Sequence, residues 1–154
     1  MEAAMGHTYT NLTYHCVFST RQRRPWLNAD VMPRLTQFVG GIIRQREGKL
    51  LAMNGRDDHV HLLAIFPAKR ALSDLLRDIK AASSGWIHDT FPDLVAFAWQ
   101  EGYGAFTVCQ SIKKDVIRYI DRQEEHHKEM TFEKEFILLL ERNGIEYDPR
   151  YVLD

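Results

Sequence analysis

The run Asp57-Asp58-His59-Val60-His61-Leu62-Leu63 holds two histidines separated by one apolar residue. In a strand, side chains alternate, so His59 and His61 share one face and Val60 and Leu62 the other. Two imidazoles about 7 Å apart along a strand can converge on one ion. The plainer reading of the pair is two half-exposed histidines near a hairpin, so partners must come from elsewhere. A predicted helix starting near Ser111 offers them. At about 100° per residue its apolar face carries Ile112, Val116, Ile120 and Met130, and Tyr119, Gln123, His126 and His127 fall on that face too. Gln123 follows Tyr119 by one turn, so the two side chains are neighbours. An amide in an apolar stripe is costly unless it is hydrogen-bonded or ligating. Its plain reading is a glutamine bonded to a backbone carbonyl beside a core tyrosine.

Two histidines and one amide oxygen make three ligands and leave positions for water and a phosphate oxygen. Such a mixed set suits Mg²⁺ or Mn²⁺, and Mn²⁺ tolerates imidazole better. A tyrosine hydroxyl beside a metal-bound phosphate is a nucleophile for phosphoryl transfer. His126 and His127 are second candidates for the third ligand. His15 can face the same sheet surface, but reads as a packed strand histidine.

The elements that must position these residues follow from periodicity. Alternation predicts a strand over Leu12 to Ser19. Asn28 can cap a helix from Ala29 to Arg46 with the stripe Val31, Leu35, Phe38, Val39, Ile42 and Ile43. A strand from Lys49 to Met53, a turn at Asn54-Gly55 and a strand from His59 to Phe66 read as a hairpin. Ala71 to His88 reads as a helix, and Phe97 to Val108 as a strand bulged at Gly102-Tyr103-Gly104. A long helix follows from Ser111, and another runs from after Thr131 to Asn143-Gly144. The order β-α-β-β-α-β plus helices predicts an α+β fold, the ferredoxin-like antiparallel sheet with additional C-terminal helices. The RNA-recognition module shares that layout, so the fold alone does not choose a function.

The chain has 154 residues, 45% hydrophobic and 27% charged, which fits one globular domain over residues 1–154. A flexible lead is expected over residues 1–10 and a C-terminal helix and tail over residues 131–154. No apolar run approaches the roughly 18 residues of a membrane span. Met1 to Gly6 lacks a basic and apolar leader pattern, so a cytoplasmic protein with no membrane partner is expected. Cys16 and Cys109 are too few for a disulfide scaffold. The net charge of −1 hides a gradient: residues 1–50 hold seven Lys/Arg against three Asp/Glu, and residues 115–154 hold six against eleven. The basic cluster Arg21, Arg23 and Arg24, with Trp26 close behind, reads either as a solvated loop or as a phosphate-contacting one. Lys80 is a fourth candidate for such a phosphate contact.

Taken together, these stretches resemble the single-tyrosine HUH transposases of small single-stranded-DNA insertion sequences. The resemblance runs from Tyr14-His15-Cys16-Val17-Phe18-Ser19-Thr20 through Asp58-His59-Val60-His61-Leu62-Leu63, Trp99-Gln100 and Gly102-Tyr103-Gly104-Ala105-Phe106. It continues through Tyr119-Ile120-Asp121-Arg122-Gln123 and Glu125-His126-His127 to Gly144-Ile145-Glu146-Tyr147. It implies cleavage and rejoining of single-stranded DNA through a 5′-phosphotyrosine intermediate. By position, Tyr119 is then the nucleophile, and His59, His61 and Gln123 are ligands of Mg²⁺ or Mn²⁺. It further implies a homodimer acting on DNA with subterminal hairpins, in which one subunit's tyrosine helix can complete the other's histidine site. Two other readings differ in what they leave behind. A single-strand binding module of RNA-recognition-like fold would bind without cutting. A phosphodiesterase using the histidines as acid and base would cut without a covalent adduct.

Overall fold

The computed structural model of the chain describes residues 6–153. It contains β1 (Thr13–Ser19), α1 (Val31–Gln45), β2 (Lys49–Arg56), β3 (His59–Ile65), α2 (Leu72–Thr90), β4 (Gly104–Thr107), α3 (Lys113–Asp121), α4 (Gln123–His126) and α5 (Phe132–Arg142). Short 3₁₀ turns occur at Arg21–Arg23, Pro92–Leu94 and Gln110–Ile112. The sheet order is β2-β3-β1-β4, and every neighbouring pair is antiparallel. This is the predicted α+β, ferredoxin-like arrangement, with β1 and β3 at its centre. No helix among the described residues is long and apolar enough to cross a membrane.

Both central strands are buried on both faces, which explains their near-continuous apolar character. On one face Cys16, Phe18, Val60, Leu62 and Ala64 pack against Leu35 and Ile43 of α1 and Leu76 and Ile79 of α2. The other face carries His15, Val17, His59, His61 and Leu63. There Val17 packs with Phe106, Phe132, Phe136 and Leu140, and Leu63 with Val108 and Ile120. The register puts His15 opposite Leu63, Val17 opposite His61 and Ser19 opposite His59. Three histidines are thus roofed by α3, α4 and α5. Each fully buried Leu or Ile in this layer contributes roughly 1.5–3 kcal/mol of burial free energy, so the roof is firmly seated.

Three expected boundaries move. Asn54 and Gly55 lie inside β2, opposite His61 and Val60, and the turn falls at Asp57-Asp58. Glycine serves a close approach there: a Cβ at residue 55 would meet the His59 carbonyl oxygen and stand 2.9 Å from Val60 Cα. The fourth strand is only Gly104–Thr107, because the preceding stretch leaves the sheet after an isolated bridge between Trp99 and Thr20. Trp99 instead packs into the first core and donates its ring N–H to Ser83 Oγ at 3.0 Å. The helix from Ser111 breaks at Arg122 (φ −99°, ψ 23°), so Gln123 opens a separate short turn. The helix after Thr131 forms as expected, its cap hydroxyl accepting from the Lys134 N–H at 3.3 Å. Of the expected flexible lead, residues 1–5 lie outside the described residues, and residues 6–10 are exposed without helix or strand.

Candidate active site

His59 and His61 are fully buried on β3, with their rings 5.2 Å apart. The break at Arg122 turns Gln123 down onto them. Gln123 Oε1 lies 3.1 Å from His59 Nε2 and 3.0 Å from His127 Nε2, and the amide is wholly buried. Tyr119, half-buried on α3, hydrogen-bonds the Glu135 carboxylate and lies 3.3 Å from His126 Nε2. Glu135 reaches in from α5. Its Oε1 is 2.8 Å from His61 Nε2 and 3.0 Å from His127 Nε2, and its Oε2 accepts from the Gln123 amide at 3.2 Å. One ligand atom from each of His59, His61, His127 and Glu135 falls within 4.8 Å of the others. Imidazole nitrogens and a carboxylate converging at that spacing are compatible with a divalent metal site.

Two contacts behind the pair orient it. Asp58 Oδ1 accepts from His59 Nδ1 at 2.7 Å, which turns the Nε2 lone pair towards the cluster. His15 Nε2 lies 2.8 Å from His61 Nδ1, with the rings stacked. His15 is therefore packed, as expected, but packed as the support of His61. Among the expected residues, Tyr119, His59, His61 and Gln123 come together at one place. His127, ranked second, joins them, and His126 stays at the rim beside the tyrosine. Glu135 was missed. Its signal was a carboxylate on the apolar stripe of a helix, between Phe132 and Phe136 on one side and Leu139 and Leu140 on the other.

Burial lowers the pKa of His61 to about 4, against hydrogen bonding from Glu135 that raises it. Burial, and then the neighbouring His61, lowers that of His15 to about 3. Both rings are neutral at neutral pH, as ligands and their supports must be. Burial, followed by the Glu135 hydrogen bond, pushes the Tyr119 hydroxyl well above the ordinary tyrosine value, so it rests protonated. Burial would raise Glu135, but hydrogen bonds from His127 and His61 hold its carboxyl below the usual range. The histidine shifts fix a pH dependence. The unfolded chain protonates each ring near pH 6.5, whereas the folded chain resists until about pH 4 for His61 and about pH 3 for His15. The stability these buried neutral rings contribute is fully present above about pH 6.5 and is lost as the pH falls towards their folded values. Urea melts at pH 7.5 and pH 5 should show a lower midpoint at pH 5. Equal midpoints would mean that the rings are not buried neutral.

The basic candidates lie apart from this cluster. Arg21 and Arg24 are exposed, and Arg24 lies over the Trp26 ring at 5.8 Å. Arg23 pairs with Glu133 at the start of α5 at 2.9 Å. Gln22 and Arg23 both sit at φ 55°, a left-handed conformation that non-glycine residues adopt only at a cost. Lys80, the fourth expected contact, is half-buried beside the 100–102 loop. Its ammonium donates to the carbonyls of Gln100 at 2.9 Å, Glu101 at 3.3 Å and Gly102 at 2.5 Å. An ammonium has three donors, so Lys80 is occupied in holding this loop.

The sequence pattern described as "Transposase IS200 like" matches residues 8–123. The chain belongs to the IS200-like transposase family. Within it, the ISDra2 transposase TnpA of Deinococcus radiodurans is 27% identical over 134 residues, covering 84% of this chain and 94% of the relative. The transposase for insertion sequence element IS200 of Salmonella typhimurium is 26% identical over 132 residues, covering 82% of this chain and 86% of the relative. A crystal structure of a transposase from Deinococcus radiodurans R1 superposes with a TM-score of 0.64 at 26% identity, over 80% of this chain and 98% of the other. The REP-associated tyrosine transposase bound to a REP hairpin superposes with a TM-score of 0.60 at 19% identity, over 82% of this chain and 74% of the other, a likeness of fold. In this IS200-like transposase the matched segment ends at Gln123. It contains Tyr119, His59 and His61, while His126, His127 and Glu135 lie beyond it.

Proposed function

We propose that this transposase cleaves and rejoins single-stranded DNA, with Tyr119 as nucleophile and a divalent metal held by His59, His61 and Gln123. The observation that supports this best is the convergence of a tyrosine hydroxyl, an amide and two strand histidines from distant parts of the chain. Neither a binding module nor a histidine hydrolase needs that tyrosine. The Tyr119 oxygen attacks the scissile phosphorus. A new Tyr–O–P bond forms, the P–O3′ bond breaks, and the 3′ oxygen leaves and ends with the proton that the phenol loses. Rejoining reverses these steps, and the phosphodiester count is conserved, so no nucleotide cofactor is consumed. Mg²⁺ or Mn²⁺ at this site supplies charge stabilisation at the phosphate, and the imidazole content favours Mn²⁺. Holding the hydroxyl against Glu135 makes the attack a positioned, effectively intramolecular step.

Arg21, Arg23 and Arg24 are the proposed phosphate contacts. The strained backbone at Gln22 and Arg23 fits a segment kept for binding. Lys80 contributes by holding the 100–102 loop. The DNA partner is taken to carry a hairpin, like that of the solved REP-associated relative. Each chain has one nucleophile and can hold one 5′ phosphate at a time. Joining two ends therefore calls for a homodimer, and light scattering of the protein–hairpin complex should give two protomers. The test of the reaction class is a labelled single-stranded oligonucleotide run on a denaturing protein gel. Label that migrates with the protein supports the transferase. Binding without cleavage would point to the module, and cleavage without an adduct to the hydrolase.

A further inference from the structure

We propose that Glu135 is the anionic ligand of the metal site, with one carboxylate oxygen for the cation and the other for Tyr119. This rests on the strand-transfer reading above and adds Glu135, and with it His127, to the ligands His59, His61 and Gln123. The two oxygens face different ways. Oε1 lies 2.8 Å from His61 Nε2, 3.0 Å from His127 Nε2 and 3.5 Å from His59 Nε2. Oε2 accepts from the Tyr119 hydroxyl and from Gln123 Nε2, with His126 Nε2 at 3.4 Å.

The environment of this carboxylate asks for a cation. Glu135 is 1% exposed. Among the described residues all its ion-pair partners are histidines, two of them fully buried. Taking a carboxylate out of water costs several kcal/mol unless opposite charge compensates it. A divalent cation where Oε1 meets the three Nε2 atoms supplies the charge, and metal and imidazole protons compete for the same positions. Three imidazoles with one carboxylate prefer Mn²⁺ to Mg²⁺. Glu135 lies on α5, beyond the segment matched by the family pattern, so that pattern does not account for it. The ligand set also closes within one protomer, which a dimer would then duplicate.

The test is calorimetric titration of the full chain with MnCl₂ in the absence of DNA. Glu135→Gln keeps the size and removes the charge, and should weaken Mn²⁺ binding at least about tenfold. Glu133→Gln, on the same helix but in a surface pair with Arg23, should leave it unchanged. Glu135→Asp keeps the charge and should bind Mn²⁺ more tightly than Glu135→Gln. Circular dichroism and thermal melting establish that each variant is folded. Wild-type affinity in Glu135→Gln, or no advantage of Asp over Gln, would overturn the proposal. His61→Ala separates it from the broader reading. If Glu135→Gln binds Mn²⁺ like the wild type while His61→Ala does not, Glu135 alone is misassigned. If His61→Ala also binds like the wild type, or the wild type binds none, the metal reading of the whole site fails with it.

Discussion

Tyr119→Phe should abolish both strand cleavage and the covalent protein–DNA adduct while leaving hairpin affinity within about twofold of the wild type. The substitution removes one oxygen and keeps the ring, which packs edge-on against His15, His61 and His126. Glu135 Oε2 still accepts from Gln123, so the carboxylate is not orphaned. The expected stability loss is therefore only about 1 kcal/mol, one hydrogen bond's worth. The catalytic loss is of another order. Without the nucleophile no Tyr–O–P bond can form, and a fall of at least about 10⁴-fold is expected. In the proposed reading, phosphate and shape contacts elsewhere carry hairpin affinity, which is why binding should survive. An adduct at the wild-type level in Tyr119→Phe would move the nucleophile to another residue.

His61→Ala should reduce cleavage by about a thousandfold or more, the effect expected when charge stabilisation of several kcal/mol at the phosphate is lost. Excess chelator should do the same to the wild type, and added Mn²⁺ should restore the wild type but not the variant. His61 is fully buried between His15 and Glu135, so its truncation leaves a small cavity and strips one donor from a buried carboxylate. A stability loss of about 2–4 kcal/mol is expected on those grounds. Far-UV circular dichroism and hairpin binding therefore accompany the assay. Folded His61→Ala that cleaves normally in chelator would rule out the metal's part in the reaction.

Much of this site was legible because strand alternation and helical spacing are local rules. Alternation alone puts His59 and His61 on one face, and the four-residue spacing predicts Tyr119 and Gln123 as neighbours, which they remain across the break at Arg122, both bonding Glu135 Oε2. The apolar runs of β1 and β3 likewise announce central strands. What local rules could not reach was the partner across the fold. Glu135 sits twelve residues past Gln123 by sequence, on a helix whose stripe of Phe132, Phe136 and Leu140 looked like ordinary core packing. Only the break at Arg122 and the chain reversal after it bring that carboxylate onto the histidines. The hairpin turn was misplaced for a related reason. Asn54-Gly55 has the chemistry of a turn, but the register of β2 on β3 uses Gly55 for a close backbone approach. Lys80 shows the same limit for charge: a lysine's sequence position does not say whether its donors face water or three carbonyls.

The central claim is that Tyr119 becomes covalently joined to the 5′ phosphate of a cut strand. Its most direct test is to incubate the wild-type chain with Mn²⁺ and a single-stranded oligonucleotide carrying a hairpin, digest the product with protease and nuclease, and locate the nucleotide by mass spectrometry. The expected result is a peptide containing Tyr119 that carries a 5′-linked nucleotide phosphate, matched by an equal yield of free 3′-hydroxyl fragment. A modified peptide lacking Tyr119, or cut DNA with no modified peptide at all, would contradict it.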